Sequence, residues 1–390
     1  MKIENFYIDS FKFYAVAWIF YILLFRYKIC YNEFIMQIIN EKLVQFIDEA
    51  LRFQASDILL MTGVFPSIRI NGNLRAISNT TALAQGEMDD ILKSILSDET
   101  YQKFLKDKEA DFSFSHPKVR FRGNAYMQRG KPAVSLRIIP RQIPNFQQLG
   151  LPPIVEKIAS HSQGFVLVTG PTGHGKSTTL ASIIEHINQN QASHIITIED
   201  PVEFEFVNQK SIISQRQVGV DTESFSRALK SVLREDPNVI LIGEMRDLES
   251  VKSALTIAET GHLVLSTLHT NSASQSIDRI IDIFPSGEQQ QVRQQLASTL
   301  LGVFSQRLLP RASGKGRILA SEVLITNSAT RSLIREGKVH QIDNVISTSA
   351  AEGMINLDKV LAELVSQGEI TLETALSWAV DANTVKQLVY

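Results

Sequence analysis

Cysteine is almost missing from this chain of 390 residues, where Cys30 stands alone. One thiol excludes an internal disulfide framework and every zinc or iron–sulfur site built from several cysteines, and it fits a reducing compartment. An excess of charge of one sign is missing as well. Lys plus Arg number 39 against 41 Asp plus Glu, a net charge of −2. Without a global basic field, binding of nucleic acid by bulk charge is not expected. The hydrophobic share of 44% and the charged share of 21% are those of an ordinary globular protein. They exclude a disordered chain, a collagen and a polytopic membrane protein, and the length suits two or three domains.

The apolar run Phe13–Phe25 has thirteen residues, between Lys12 and Arg26. A bilayer-spanning helix needs about 20, and Arg26-Tyr27-Lys28 is the wrong flank for a cleaved signal peptide. Two readings stand. The run is a short membrane-associated anchor with Lys12, Arg26 and Lys28 snorkelling, or it lies upstream of a true start at Met36. The second is preferred, because Ile38, Ile39, Leu43, Phe46, Ile47, Ala50 and Leu51 give a clean amphipathic pattern over 37–53 straight after Met36.

Beyond Met36 the pattern divides the chain. Asp57–Leu60 reads as a strand, and Ser67–Ile70, Asn71-Gly72, Leu74–Ile77 as a hairpin with a type I′ turn. A helix is expected near 86–106, then alternating strands over Asp111–Ser115, Val119–Gln128 and Ala133–Ile139. This is an α+β domain over 36–140, following the 1–35 extension. Residues 141–153 hold Pro144, Gly150, Pro152 and Pro153 and read as a linker. Over 154–287, strand-like runs at Phe165–Thr169, Ile195–Ile198, Val239–Ile242 and Leu263–Ser266 alternate with helical patterns, which predicts a parallel sheet with crossover helices. Residues 288–390 read as a mostly helical part.

Gly170-Pro171-Thr172-Gly173-His174-Gly175-Lys176-Ser177-Thr178 fits the phosphate-binding pattern G-x-x-x-x-G-K-[ST], with a buried strand leading in and a helix leading out. Its glycines let backbone N–H groups close around phosphate oxygens at the positive end of the helix. Lys176 would reach the outer phosphates and Ser177 would bind Mg²⁺. Glu244, just after the apolar strand Val239–Ile242, is placed to hold that magnesium. A second acidic cluster, Glu199, Asp200 and Glu203, offers groups to polarise an attacking water, and spacing does not rank them. His262 and His269 lie on either side of the strand-like run Leu263–Ser266. His269, at its polar exit, is the better candidate to sense the terminal phosphate.

Together these segments resemble the secretion ATPase superfamily, and within it the type IV pilus retraction ATPases of the PilT kind. The carriers are GPTGHGKST (170–178), ITIEDPVEF (196–204), LREDPNVILIGEMRD (233–247), ETGHLVLSTLHT (259–270) and SIDRIIDIFP (276–285). The resemblance covers about 36–380, and members of that family begin near Met36. It implies a PAS-like N-terminal domain, a RecA-like ATPase core, and ATP with Mg²⁺ bound between them on Lys176, Ser177 and Glu244. It implies water activation by Glu203, with His262 and His269 as the histidine-box residues. Arg122 and Arg137 fall at positions that supply arginines to the nucleotide phosphates, and Arg279 is a conditional third. The absence of a four-cysteine zinc insertion points away from the assembly and type II branches. The segment Ala329–Glu336 resembles AIRNLIRE with Thr330 and Ser332 as departures, and with the tail 368–383 it leaves a PilU-like paralogue as the alternative. His174 replaces the usual small serine and is expected to point outward. A DNA-transfer motor of the same superfamily and a non-catalytic, nucleotide-gated adaptor that assists a separate motor are the remaining rivals. The implied whole is a homohexameric motor at the cytoplasmic face of the inner membrane. It would act on pilin indirectly, through a membrane platform protein.

Overall fold

The computed structural model of the protein describes residues 39–70 and 72–390. The apolar run at 13–25, the alternative start at Met36 and Asn71 of the hairpin turn lie outside them. The chain forms two compact units, a first ending at Arg141 and a second running from Gln142 to Tyr390.

In the first unit, Asn40 caps the helix Glu41–Arg52 by accepting from the N–H groups of Lys42 and Leu43, and Leu43, Phe46, Ile47 and Ala50 form its buried stripe. Strands β1 (Asp57–Met61), β2 (Ser67–Ile70), β3 (Asn73–Ala76), β4 (Glu109–Ser115), β5 (Val119–Gln128) and β6 (Lys131–Pro140) build a six-stranded antiparallel sheet in the order β3-β2-β1-β6-β5-β4. The strict alternation of β5 buries Val119, Phe121 and Ala125 and turns Arg120, Arg122 and Asn124 to the other face. Gly123 belongs to the core row because the Phe112 ring fills its side-chain space: a Cβ there would lie 2.3 Å from Phe112 Cζ. The helix expected near 86–106 is two helices, Gln85–Ile95 and Asp98–Asp107. The break falls at Ser97, whose hydroxyl accepts from Thr100 N–H and starts the second helix.

The second unit is a seven-stranded sheet, ordered β13-β12-β7-β11-β10-β8-β9. Its members are β7 (Gly164–Thr169), β8 (His194–Glu199), β9 (Ile212–Gln217), β10 (Val239–Ile242), β11 (Leu263–Leu268), β12 (Leu300–Pro310) and β13 (Arg317–Ile325). All neighbours pair in parallel except β12 with β13. Strands β7, β10 and β11 are buried throughout, because helices cover both faces of the sheet. The stretch from 288 onward, expected to be mostly helical, therefore contributes two core strands before its helices begin. It closes on a small cluster in which Leu357, Leu361, Ile370, Ala375 and Val385 pack over Leu309 and Ala320 of the β12–β13 hairpin. Within the expected linker, Asn145 caps a short helix, Phe146–Leu149. Among the described residues no helix is long and apolar enough to cross a membrane.

Candidate functional site

In a parallel sheet all strands end on the same side, so the loops after β7, β8, β10 and β11 meet along one edge. Gly170, Glu199, Gly243 and His269 are the first residues beyond, or the last within, those strands. The phosphate loop follows β7 and runs into the helix Lys176–Asn190, with Gly175 as its N-cap at φ +82°. Gly170 has φ +139°, and any Cβ there would lie 2.4 Å from the carbonyl oxygen of Gln306 on β12. The loop can lie against that strand only because the residue is glycine.

Lys176 is buried, and its ammonium donates to the carbonyls of Gly170 at 2.9 Å and Pro171 at 3.0 Å. Burial pushes its pKa down, while the nearby carboxylates of Glu244 and Glu203 push it back up. These two acids thus face the lysine from different loops. His269 joins the parts: its Nδ1 lies 3.4 Å from Thr172 Oγ1 and 3.5 Å from Lys176 Nζ, and its Nε2 lies 3.8 Å from Glu244 Oε2. Burial, then the neighbouring Lys176 charge, lower the His269 pKa, which favours a neutral ring. Glu244 also pairs with Arg246 at 2.5 Å. Thr267 Oγ1 donates to the Gly243 carbonyl at 2.7 Å and fixes the end of β10 against β11.

The second acidic cluster separates into roles that spacing left open. Glu199 accepts from Thr197 Oγ1 at 2.7 Å, from Gln215 Nε2 at 3.4 Å and from the Glu203 N–H at 3.4 Å. Burial raises its pKa. Glu199 is therefore an anchor for the loop that carries Glu203. Asp200 precedes a cis peptide bond to Pro201. Ser177 and Thr178 open the phosphate-loop helix, with Ser177 exposed.

The remaining expected residues lie elsewhere on the chain, and one of them, His174, departs from its expected orientation. His262 precedes β11 at the opposite end of the strand from His269, with its Nδ1 3.1 Å from the Ile257 carbonyl. Six residues of strand separate the two, roughly 20 Å of chain. His174 does not point outward: its Nδ1 accepts from the Leu308 N–H at 3.0 Å, and its ring meets Trp378. Arg279 is exposed on the helix Ala273–Asp282. In the first unit, Arg122 and Arg137 are register partners on β5 and β6, and the same ladder row continues through Asp57 to Arg69. Directly paired residues share a face, so both arginine side chains leave the sheet on one side, where Asp57 reaches Arg137 at 3.2 Å and Arg69 at 3.6 Å.

Sequence reasoning missed the contribution of β12. Gln306, buried, donates from Nε2 to the His174 carbonyl at 2.7 Å and accepts from Thr179 Oγ1 at 3.0 Å, so one amide braces the loop and its helix. Arg307, also buried, donates to the Asn271 carbonyl just beyond His269. Glu322 on β13 accepts from the Ala273 N–H at 2.7 Å, at the start of the next helix. The available signal is the apolar residues on either side of Gln306 and Arg307, Val303 and Phe304 before and Leu308 and Leu309 after.

Comparison with known proteins agrees with this geometry. The family described as type II/IV secretion system protein matches residues 33–376. A twitching motility protein of Neisseria gonorrhoeae is 48% identical over 311 residues, covering 80% of this chain and 83% of that one. The type IV pilus retraction ATPase PilT of Pseudomonas aeruginosa is 44% identical over 334 residues, covering 84% and 96%. The type IV pilus ATPase PilU of the same organism is 39% identical, covering 86% and 87%. A crystal structure of the pilus retraction motor PilT with bound ADP superposes with a TM-score of 0.82 at 47% identity, covering 88% of this chain and 98% of that one. With a phosphate loop, its acids and a histidine gathered on one sheet edge, the chain belongs to the type II/IV secretion system protein family, whose members include ATPases.

Proposed function

We propose that this protein is a motor that hydrolyses ATP to power retraction of type IV pili. The observation that carries the reading is the convergence of Lys176, Glu244, Glu203 and His269 around one phosphate loop. Lys176 holds its ammonium on two loop carbonyls and would exchange them for phosphate oxygens. His269, kept neutral, lies between Thr172 and Glu244, where it can register the terminal phosphate by hydrogen bonding. Glu203 rides on a loop anchored by Glu199 and acts as the base that orients the attacking water.

The donor set fits Mg²⁺: Ser177 offers a hydroxyl at a helix N-terminus and Glu244 a carboxylate beside Lys176, and the ion would neutralise phosphate charge there. By family resemblance, Arg122 and Arg137 are the arginines assigned to the nucleotide phosphates. The family resemblance supports a homohexamer, peripherally attached at the cytoplasmic face of the inner membrane and engaging a platform protein. Identities of 48% to a twitching motility protein and 44% to the retraction ATPase PilT, against 39% to PilU, favour the motor over the accessory paralogue.

Expression of the chain in a bacterium lacking its own retraction ATPase tests the reading. Twitching should return with the native chain and stay absent with Lys176→Ala. Wild-type protein that accumulates without restoring movement rejects it.

A further inference from the structure

The C-terminal helices share a small core with the β12–β13 hairpin, and Trp378, at the end of the helix Leu372–Trp378, packs against it as Leu376 and Ala379 do. The Trp378 ring also leaves that core to meet the tip of the phosphate loop: its centroid lies 5.3 Å from that of His174, with the planes at 57°. The tilted arrangement is a favourable one for two rings. The imidazole is also held by the Leu308 N–H, which donates to Nδ1 at 3.0 Å. Arg307 places its guanidinium 5.9 Å from the Trp378 centroid while holding the Asn271 carbonyl of the histidine-box loop. Arg317 donates to the Gly173 carbonyl at 3.1 Å. Four residues from three segments therefore converge on the loop tip, and His174 is the one that touches both β12 and the C-terminal core. A serine at 174 has no ring to reach Trp378.

We propose that His174 is a positioning residue that fastens the phosphate loop to the C-terminal helical segment through Trp378, so that nucleotide occupancy and the packing of that segment are energetically coupled. The inference rests on the phosphate-binding reading of the loop. Burial, with the charges of Arg307, Arg317 and Lys176, lowers the His174 pKa and so keeps Nδ1 available as the acceptor that the Leu308 N–H requires.

The chain has two tryptophans, Trp18 and Trp378, so Trp18→Phe leaves Trp378 as the sole reporter. ADP with magnesium is titrated into this full-length variant, followed by Trp378 emission and by calorimetry. The emission should change along the calorimetric isotherm, and His174→Ser should remove the change while weakening ADP binding roughly three- to tenfold, the scale of one ring pair. Trp378→Ala should weaken ADP equally and Trp378→Phe should restore it. The double variant His174→Ser/Trp378→Ala should bind no more weakly than either single one. ADP bound with unchanged emission, or losses that simply add, would overturn the coupling and leave the phosphate-binding reading standing. A parent chain that binds no ADP overturns both.

Discussion

Replacing Glu322 by glutamine should make the second unit more stable at neutral and alkaline pH. Glu322 is 5% exposed, and its carboxylate accepts the first N–H of the helix that follows the histidine-box loop. Burial pushes its pKa from 4.5 to about 7; the Ala273 N–H and Arg307 oppose that push, and Asp343 and Asp358 reinforce it. Between these two values the folded chain holds a proton that the unfolded chain has released. Stability therefore falls as pH rises through the window, and the loss is complete above the folded value. Linkage over a shift from 4.5 to about 7 gives a change of about 2.5 kcal/mol between about pH 5 and about pH 8. Glutamine is neutral at both ends and keeps an oxygen for the Ala273 N–H, so it removes the pH-dependent part alone. Urea unfolding of both proteins across that range measures it. The stability difference should move in favour of Glu322→Gln by that amount as pH rises. A difference that stays constant, or that moves the other way, refutes the assignment of a raised pKa to this carboxyl.

Other expectations follow from the same contacts. Gly170→Ala should lower the unfolding temperature and abolish nucleotide binding, because its Cβ would collide with the Gln306 carbonyl oxygen at 2.4 Å; calorimetry with ADP and a thermal scan read both. Glu203→Gln should abolish phosphate release while nucleotide still binds. Glu199→Gln should retain measurable turnover, since its one carboxamide oxygen can keep the Thr197 contact at Oε1 while only the long Glu203 N–H contact at Oε2 is lost; equal loss in both variants would reject the division of labour. Arg137→Ala should slow hydrolysis by roughly 10³–10⁵ if it acts as an arginine finger, and a change of less than about tenfold in single-turnover kinetics would exclude that role.

The two kinds of strand differed in how openly the sequence displayed them. Strand β5 alternates so cleanly that Val119–Gln128 was bounded to the residue, because each core side chain is followed by a polar one. The buried strands β7, β10 and β11 declared themselves as short apolar runs before turn residues. Strand β12 gave no such boundary. The helix Gln289–Thr299 passes directly into Leu300, and Gly302 alone near the junction does not distinguish a strand from a helix, so Gln306 and Arg307 were hidden within a supposed helix. Strand β9 is a polar edge strand, IISQRQ, whose half-exposed residues carry no strong periodicity.

The site was legible where chemistry is local. The phosphate loop and the carboxylate at a strand end follow from spacing alone, and His269 was preferred to His262 because one strand end leads to the loop and the other away. What spacing could not provide was the third dimension. Glu199 and Glu203 are separable only once Thr197 and Gln215 are seen to surround the former. His174 looked like a tolerated departure because its partners, Leu308 and Trp378, lie 134 and 204 positions further along the chain.

Phosphate release from ATP by the purified chain, with and without magnesium and beside Lys176→Ala, tests the central claim most directly. The account predicts steady magnesium-dependent turnover by the native protein and none by the lysine variant. Equal release by both proteins, or none from folded native protein supplied with magnesium and ATP, would contradict it.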